Sequence, residues 1–398
     1  MKIALSKITM NRGVSYFFLG AVFMSIFSCC NNPIEEEDLK TRNVLFYIGV
    51  DSDETVSGDA PGKINQMRYG WQPGYGEMLI YIDKKGDGAY LFRINETKDS
   101  NGYYGLDTIH VYGEENSADS RVLERVINDM VINYPADSYG MIFFSHASGW
   151  LPEGALSSPR SLVRDYDNGG GNSEMEYYDF AAAIPDKQFD FIIFEACLMA
   201  DVMSMYELRN KVEYVLASSA EIVSPGFANI YAKNVMNLFN TRSSIQDILV
   251  GFGQAFYEIR ATVSNSITLS LLKVSEMDNL ASVTKSVLKG KSIDHTTLTV
   301  DSIQSFDRPG ALGKKPYSRY FDFAQTIENL VSDSDYKIFN QQIEKTVVWK
   351  VSTEKFLPNQ YGFTIKRHSG LTTYIRQGVY SELIDPAFVN SSWYKAIY

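Results

Sequence analysis

Phe189-Asp190-Phe191-Ile192-Ile193-Phe194-Glu195-Ala196-Cys197-Leu198-Met199-Ala200-Asp201 is an apolar run that closes on an acid and a thiol and then opens toward a helix. A short, nearly continuous apolar run of this kind is what a strand buried on both faces of a parallel sheet requires. A second such run, Met141-Ile142-Phe143-Phe144-Ser145, ends in His146-Ala147-Ser148-Gly149-Trp150. Sites in open parallel sheets form beyond the carboxyl ends of strands. If the two strands are neighbours, the Cys197 thiol and the His146 imidazole meet there as the pair of a cysteine hydrolase. A helix beginning directly after Cys197 would favour its thiolate. Read alone, Cys197 is more often a small buried hydrophobe than a nucleophile. His110, His295 and His368 are weaker partners, lying in a strand, a Ser/Thr-rich loop and a turn.

Outward from these strands the chain alternates strand and helix, which argues an α/β layer on a parallel sheet. Residues 44–51 read as a buried strand and 52–76, rich in Gly, Asp and Pro, as a long loop. Two strands, 77–82 and 88–94, flank a turn of Asp and Gly residues. A helix over 119–133 would bury Val122, Val126, Met130 and Ile132. A loop follows over 151–175, then a helix over 176–183, a helix from the Cys197 strand through Arg209, and a strand over 212–218. The later chain is more helical: 228–239, 244–263, 276–289, 320–332 and 336–347, with a strand over 267–274. Strands at 363–367 and 370–375 read as a pair.

The chain has 398 residues, 45% hydrophobic and 21% charged, with net charge −11. It is globular, and its acidity disfavours nucleic acid and anionic membrane surfaces. Lys2, Lys7 and Arg12 precede an apolar stretch over 14–27 that is too short to span a bilayer comfortably. It ends Ile26-Phe27-Ser28-Cys29, which resembles a bacterial lipobox with Cys29 as the lipidated residue. The acidic run that follows, to Asp38, resembles the export tag of Gram-negative surface lipoproteins. The expected organisation is a signal peptide (1–28), an acidic tether (29–42) and one domain (43–398), with a core to about 225 and a helical extension with late strands beyond. The expected location is the cell envelope, with a lipid anchor in the outer membrane. With Cys29 and Cys30 in the leader region, Cys197 has no disulfide partner within the chain.

The two strand ends resemble the clostripain family of cysteine peptidases, in the clan of caspases, gingipains and legumains. The family's usual segments are His-Gly-x-Gly-Trp and Asp-Ala-Cys-Leu-Met. The matching residues here are His146-Ala147-Ser148-Gly149-Trp150 and Glu195-Ala196-Cys197-Leu198-Met199. The strand ending Tyr47-Ile48-Gly49-Val50-Asp51 and the late segment Ser369-Gly370-Leu371-Thr372-Thr373-Tyr374-Ile375 also resemble family strands. The resemblance implies a caspase-like α/β/α sandwich with a mostly parallel sheet. It also implies a Cys197/His146 dyad and cleavage of peptides or proteins after Arg, in some members Lys. Backbone N–H groups of Ala147 and Cys197 would bind the oxyanion. Glu195 takes the place of the family's pocket-floor aspartate and would pair with a substrate guanidinium; Glu221 would flank it.

Two departures stand out. Ala147 replaces a glycine, which is strained if that position needs a positive φ. Glu195 is one methylene longer than aspartate. They leave a catalytically inactive binding lipoprotein as the alternative. Relatives mature by cutting themselves at a basic residue between the two strands, which points to Arg160 or Arg164. No cofactor is implied, although Asp165-Tyr166-Asp167-Asn168-Gly169-Gly170 and Glu176 form a partial calcium-loop pattern lacking a ligand and the helix before it.

Overall fold

The computed structural model describes residues 40–49, 54–84, 86–156, 164–165, 173–308, 317–380 and 382–398. The leader, Cys29, Arg160 and most of the calcium-loop pattern lie outside these residues. In chain order the elements are β1 (Arg42–Gly49), α1 (Glu54–Gly70), β2 (Met78–Lys84), β3 (Gly88–Lys98), β4 (Tyr104–Gly113), α2 (Ser120–Asn133) and β5 (Ser138–Ser145). The short pair β6 (Arg164–Asp165) and β7 (Ser173–Glu174) precedes α3 (Tyr177–Ala183), β8 (Phe189–Glu195), α4 (Val202–Leu208) and β9 (Val212–Ala217). Next come α5 (Ala228–Asn234), α6 (Ile245–Val263), β10 (Thr268–Lys273), α7 (Met277–Leu288), β11 (Phe321–Asp322), α8 (Phe323–Glu328) and α9 (Asp333–Thr346). The chain closes with β12 (Val347–Ser352), β13 (Lys355–Phe356), β14 (Phe363–Thr364), β15 (Thr372–Thr373), α10 (Ile384–Asn390) and α11 (Ser392–Ile397).

Nine of the described strands form one sheet in the order β12-β10-β9-β8-β5-β1-β2-β3-β4. Its centre, β2-β1-β5-β8-β9, is parallel, and both edges are antiparallel. Parallel strands need cover on both faces, and β1 shows how the sequence supplies it. Val44, Phe46 and Ile48 enter one core with Ile64, Met67, Ile230 and Phe252 from α1, α5 and α6. Leu45 and Tyr47 enter the opposite core with residues of α2, α3, α4 and α7. The strand period of two thus sends alternate side chains to the two helical layers, and an α/β/α sandwich results. Residues after 225 join the same sheet, because β10 pairs with β9.

Several expectations are corrected. Residues 54–70, expected as loop, form α1 despite Gly58, Pro61 and Gly62. Ala60, Ile64, Met67 and Trp71 recur at helical spacing and are buried, so tertiary packing outweighs local propensity. In α2 the buried side is Val122, Leu123, Val126, Ile127 and Met130, while Ile132 is exposed. The two late strands do not pair with each other: β14 pairs with β13, and β15 pairs with β11. Residues 320–332 divide into β11 and the short helix α8.

Candidate active site

β5 and β8 are adjacent parallel strands whose last paired residues are Phe144 and Glu195. His146 and Cys197 each lie two residues further on, so the register puts imidazole and thiol at the same level beyond neighbouring strand ends. Both line one cavity of about 220 Å³, together with Glu195, Glu221, Ser224, Arg308 and Gln360 among others. Cys197 carries a thiol in no disulfide, partly exposed and not sealed in the core.

The expected helix directly after the thiol is displaced. α4 begins at Val202, capped by Asp201, and residues 196–201 form a turn between strand and helix. That turn is held by its backbone: Leu198 N–H donates to Ala220 (2.9 Å), Ala200 N–H to Ser218 (3.0 Å), and Thr372 N–H to Ala200 (2.8 Å). Leu198 adopts a positive φ of 62°. The Ile222 N–H points at the sulfur, 3.4 Å from Sγ. A backbone donor from the loop after β9, and not a helix end, therefore faces the sulfur.

The histidine segment is held by β1 and by Tyr320. Ser145 Oγ donates to the Gly49 carbonyl (2.8 Å), and the Tyr320 hydroxyl donates to the Ser148 carbonyl. Ala147 is not among the positive-φ residues, so alanine in place of glycine strains nothing there. The demanding position is Gly149, with φ +54°. A Cβ on it would lie 2.5 Å from the Leu198 carbonyl oxygen and 2.9 Å from Asp201 Oδ2. Asp201 is fully buried, accepts the Ser204 N–H (2.8 Å) and hydroxyl (2.7 Å), and has its carboxyl pushed up to about 7 by burial. Gly149→Ala is expected to lower stability by about 2–4 kcal/mol, since both φ and space forbid the methyl group. It should also slow alkylation of Cys197, because relief of the clash shifts the thiol turn against the histidine segment. Thermal unfolding and the alkylation rate check this; a wild-type midpoint would contradict it.

Glu195, expected to pair with a substrate guanidinium, lines the cavity with its carboxylate already engaged within the chain. Its carboxylate forms a buried ion pair with Lys63 of α1, whose side chain is 0% exposed against 1% for Glu195. It also accepts the Phe227 N–H and the Tyr231 hydroxyl. Burial and then the Glu195 charge push the Tyr231 phenol well up. Lys63 further donates to the Pro225 carbonyl (2.6 Å) and lies 4.3 Å from the Phe144 ring centre. Gly226, at φ +58°, closes over the pair; a Cβ there would meet Glu195 Oε1 at 2.2 Å. The group satisfies a buried carboxylate inside the protein, as burial demands.

Glu221 lies in the cavity with its carboxylate on the Arg308 guanidinium. Lys63, Arg308 and Gln360 carried no sequence signal, because only the tertiary fold brings Lys63 to Glu195 and Arg308 and Gln360 to the cavity. Arg164 sits in β6, and Arg160 lies outside the described residues. Among the remaining histidines, His110 and His295 are exposed. His368 is held neutral by burial, its pKa lowered to about 3, with Nε2 3.3 Å from Ser219 Oγ. No group of His, Cys, Asp and Glu suited to a metal ion occurs among the described residues.

Known proteins resemble this chain in sequence and fold. A model of the clostripain family, Peptidase C11, matches residues 50–382. Clostripain from Hathewaya histolytica is 25% identical over an alignment of 216 residues, 47% of this chain and 41% of clostripain. The chain thus spans about two fifths of the length of that relative. An inactive zymogen C11 protease from Parabacteroides distasonis superposes with TM-score 0.76 and 26% identity, over 90% of this chain and 99% of that one. A secreted C11 cysteine protease from Bacteroides thetaiotaomicron, solved with an irreversible peptide inhibitor, gives TM-score 0.74 and 28% identity, over 90% and 98%.

Proposed function

The chain belongs to the clostripain family of cysteine peptidases, and on that premise we propose that it is an envelope-anchored endopeptidase cutting after basic residues with Cys197 as nucleophile and His146 as its acid–base partner. The carrying observation is the register Phe144↔Glu195, which puts both groups at one level over one cavity. The Cys197 thiolate adds to the scissile carbonyl, and the resulting oxyanion accepts the N–H groups of Cys197 and Ala147. Collapse expels the amine, which takes its proton from the His146 imidazolium. The thioester is then hydrolysed by a water that His146 deprotonates, regenerating the thiol. Self-cleavage after Arg160 or Arg164 is part of the same reading.

The basic preference rests on Glu221. Its carboxylate already grips a guanidinium, that of Arg308, in fork geometry inside the cavity. Arginine is expected ahead of lysine, since an ammonium makes no such fork. In a panel of fluorogenic peptides differing only in the residue before the scissile bond, kcat/KM for Arg should exceed that for Ala or Asp by about 10²-fold or more. Comparable rates after an aliphatic or acidic residue would discard the basic pocket.

The location follows from Ile26-Phe27-Ser28-Cys29. Cys29→Ala is expected to move the protein from the membrane to the soluble fraction and to abolish incorporation of a fatty-acid analogue. Labelling that survives Cys29→Ala and disappears in Cys30→Ala would shift the lipidation site by one residue.

A further inference from the structure

The cavity beside Cys197 is lined by three carboxylates, and each already has a partner. Glu195 is held by Lys63 from the core side. Asp59 accepts the Ser224 hydroxyl at 2.7 Å. Glu221 is held by Arg308: Nε lies 3.1 Å from Oε1, Nη2 meets Oε2, and Nη1 donates to the Gln360 carbonyl at 2.9 Å. All three guanidinium nitrogens are therefore engaged. This is how an incoming arginine side chain would be held by a carboxylate and a backbone oxygen.

We propose that Arg308 is a specificity-determining residue that competes, from within the chain, with the basic side chain of the substrate for Glu221. This rests on the basic-pocket reading above. One carboxylate cannot present its fork to two guanidinia, so a substrate arginine enters only when Arg308 has left. Arg308 follows a fixed segment: Phe306 is fully buried with its N–H on the Tyr320 carbonyl (2.9 Å), and buried Asp307 accepts the Arg319 N–H (3.0 Å). Its side chain, unlike that of Lys63, is partly open to solvent, 14% exposed against 0%. Ion pairs with solvent access are weaker than sealed ones, so Arg308 is the counter-ion that gives way. Affinity for a basic side chain is then reduced by the small fraction of molecules in which Arg308 is out. Neutral side chains, which make no use of Glu221, bear no such reduction. The pair thereby raises the threshold for short or weakly held basic substrates and favours those with further contacts along the cleft.

The test uses the full processed chain and Arg308→Gln. The KM for an Arg reporter peptide should fall about tenfold or more, with kcat changed far less and no gain on the Ala peptide. Agmatine, which carries the arginine side chain alone, should protect Cys197 from iodoacetamide at about tenfold lower concentration in the variant. Arg308→Lys, with one donor group in place of the fork, should shift both readings in the same direction by less, and it decides the matter if Arg308→Gln does not fold. An unchanged or higher KM together with equal agmatine protection would overturn the proposal and make Arg308 a scaffold residue. If neither protein cuts Arg peptides but the variant gains agmatine protection, the peptidase reading fails while the competition for Glu221 stands.

Discussion

Cys197→Ala and His146→Ala are each expected to reduce cleavage of an arginine reporter peptide by about 10⁴-fold or more, with the double variant scarcely worse than either single one. Residues that act as a unit lose their contribution together, so the effects do not add. The thermal midpoint should stay within a few degrees, because both side chains line an open cavity and neither fills the core. The same variants report on maturation. The wild type, expressed without its leader, should yield two associated fragments, the second beginning at Ser161 or Asp165, while Cys197→Ala remains one chain. Retained cleavage in Cys197→Ala would remove the thiol from the mechanism. A wild type fully active as a single chain would remove self-cleavage but leave the dyad intact.

The strands that carry this chemistry were readable because burial on both faces leaves a plain signature. β1, β5 and β8 are mostly apolar, and β5 and β8 end abruptly in Ser145 and Glu195. α1 was not readable, since Gly58, Pro61 and Gly62 speak against a helix while its evidence is the spacing of Ala60, Ile64, Met67 and Trp71. Lys63 hid for a related reason: lysine in a glycine-rich stretch looks solvated, and only the fold shows it buried 132 positions from its partner. The turn between Cys197 and α4 misled in the other direction. Residues 196–201 are apolar enough to pass for a first helical turn, but the N–H groups of Leu198 and Ala200 donate to the carbonyls of Ala220 and Ser218, so the helix starts later. Glu195 and Glu221 line the cavity, but their partners Lys63 and Arg308 left no trace in the sequence, because a motif names an acid and not its counter-ion.

Lys63→Met is expected to cost about 3–5 kcal/mol of stability, the usual consequence of leaving one member of a buried ion pair without the other. Phe227 N–H and the Tyr231 hydroxyl still donate to Glu195 in that variant, but they bring no compensating charge. Adding Glu195→Gln removes the surviving charge, so Lys63→Met/Glu195→Gln should be more stable than Lys63→Met alone. The difference is the coupling that a double-mutant cycle measures. Activity separates the two roles open to Glu195. If it served as the substrate's acid, freeing it from Lys63 would improve cleavage after arginine. If the pair instead fixes the end of β8, two residues before the thiol, Lys63→Met should lower kcat, slow alkylation of Cys197 by small uncharged reagents, and leave the preference for arginine over alanine unchanged. The second outcome is expected, because Lys63, Tyr231, Phe227 and Gly226 enclose the carboxylate from the core side. A Lys63→Met protein as stable as the wild type, or one faster on arginine peptides, would return Glu195 to the substrate pocket.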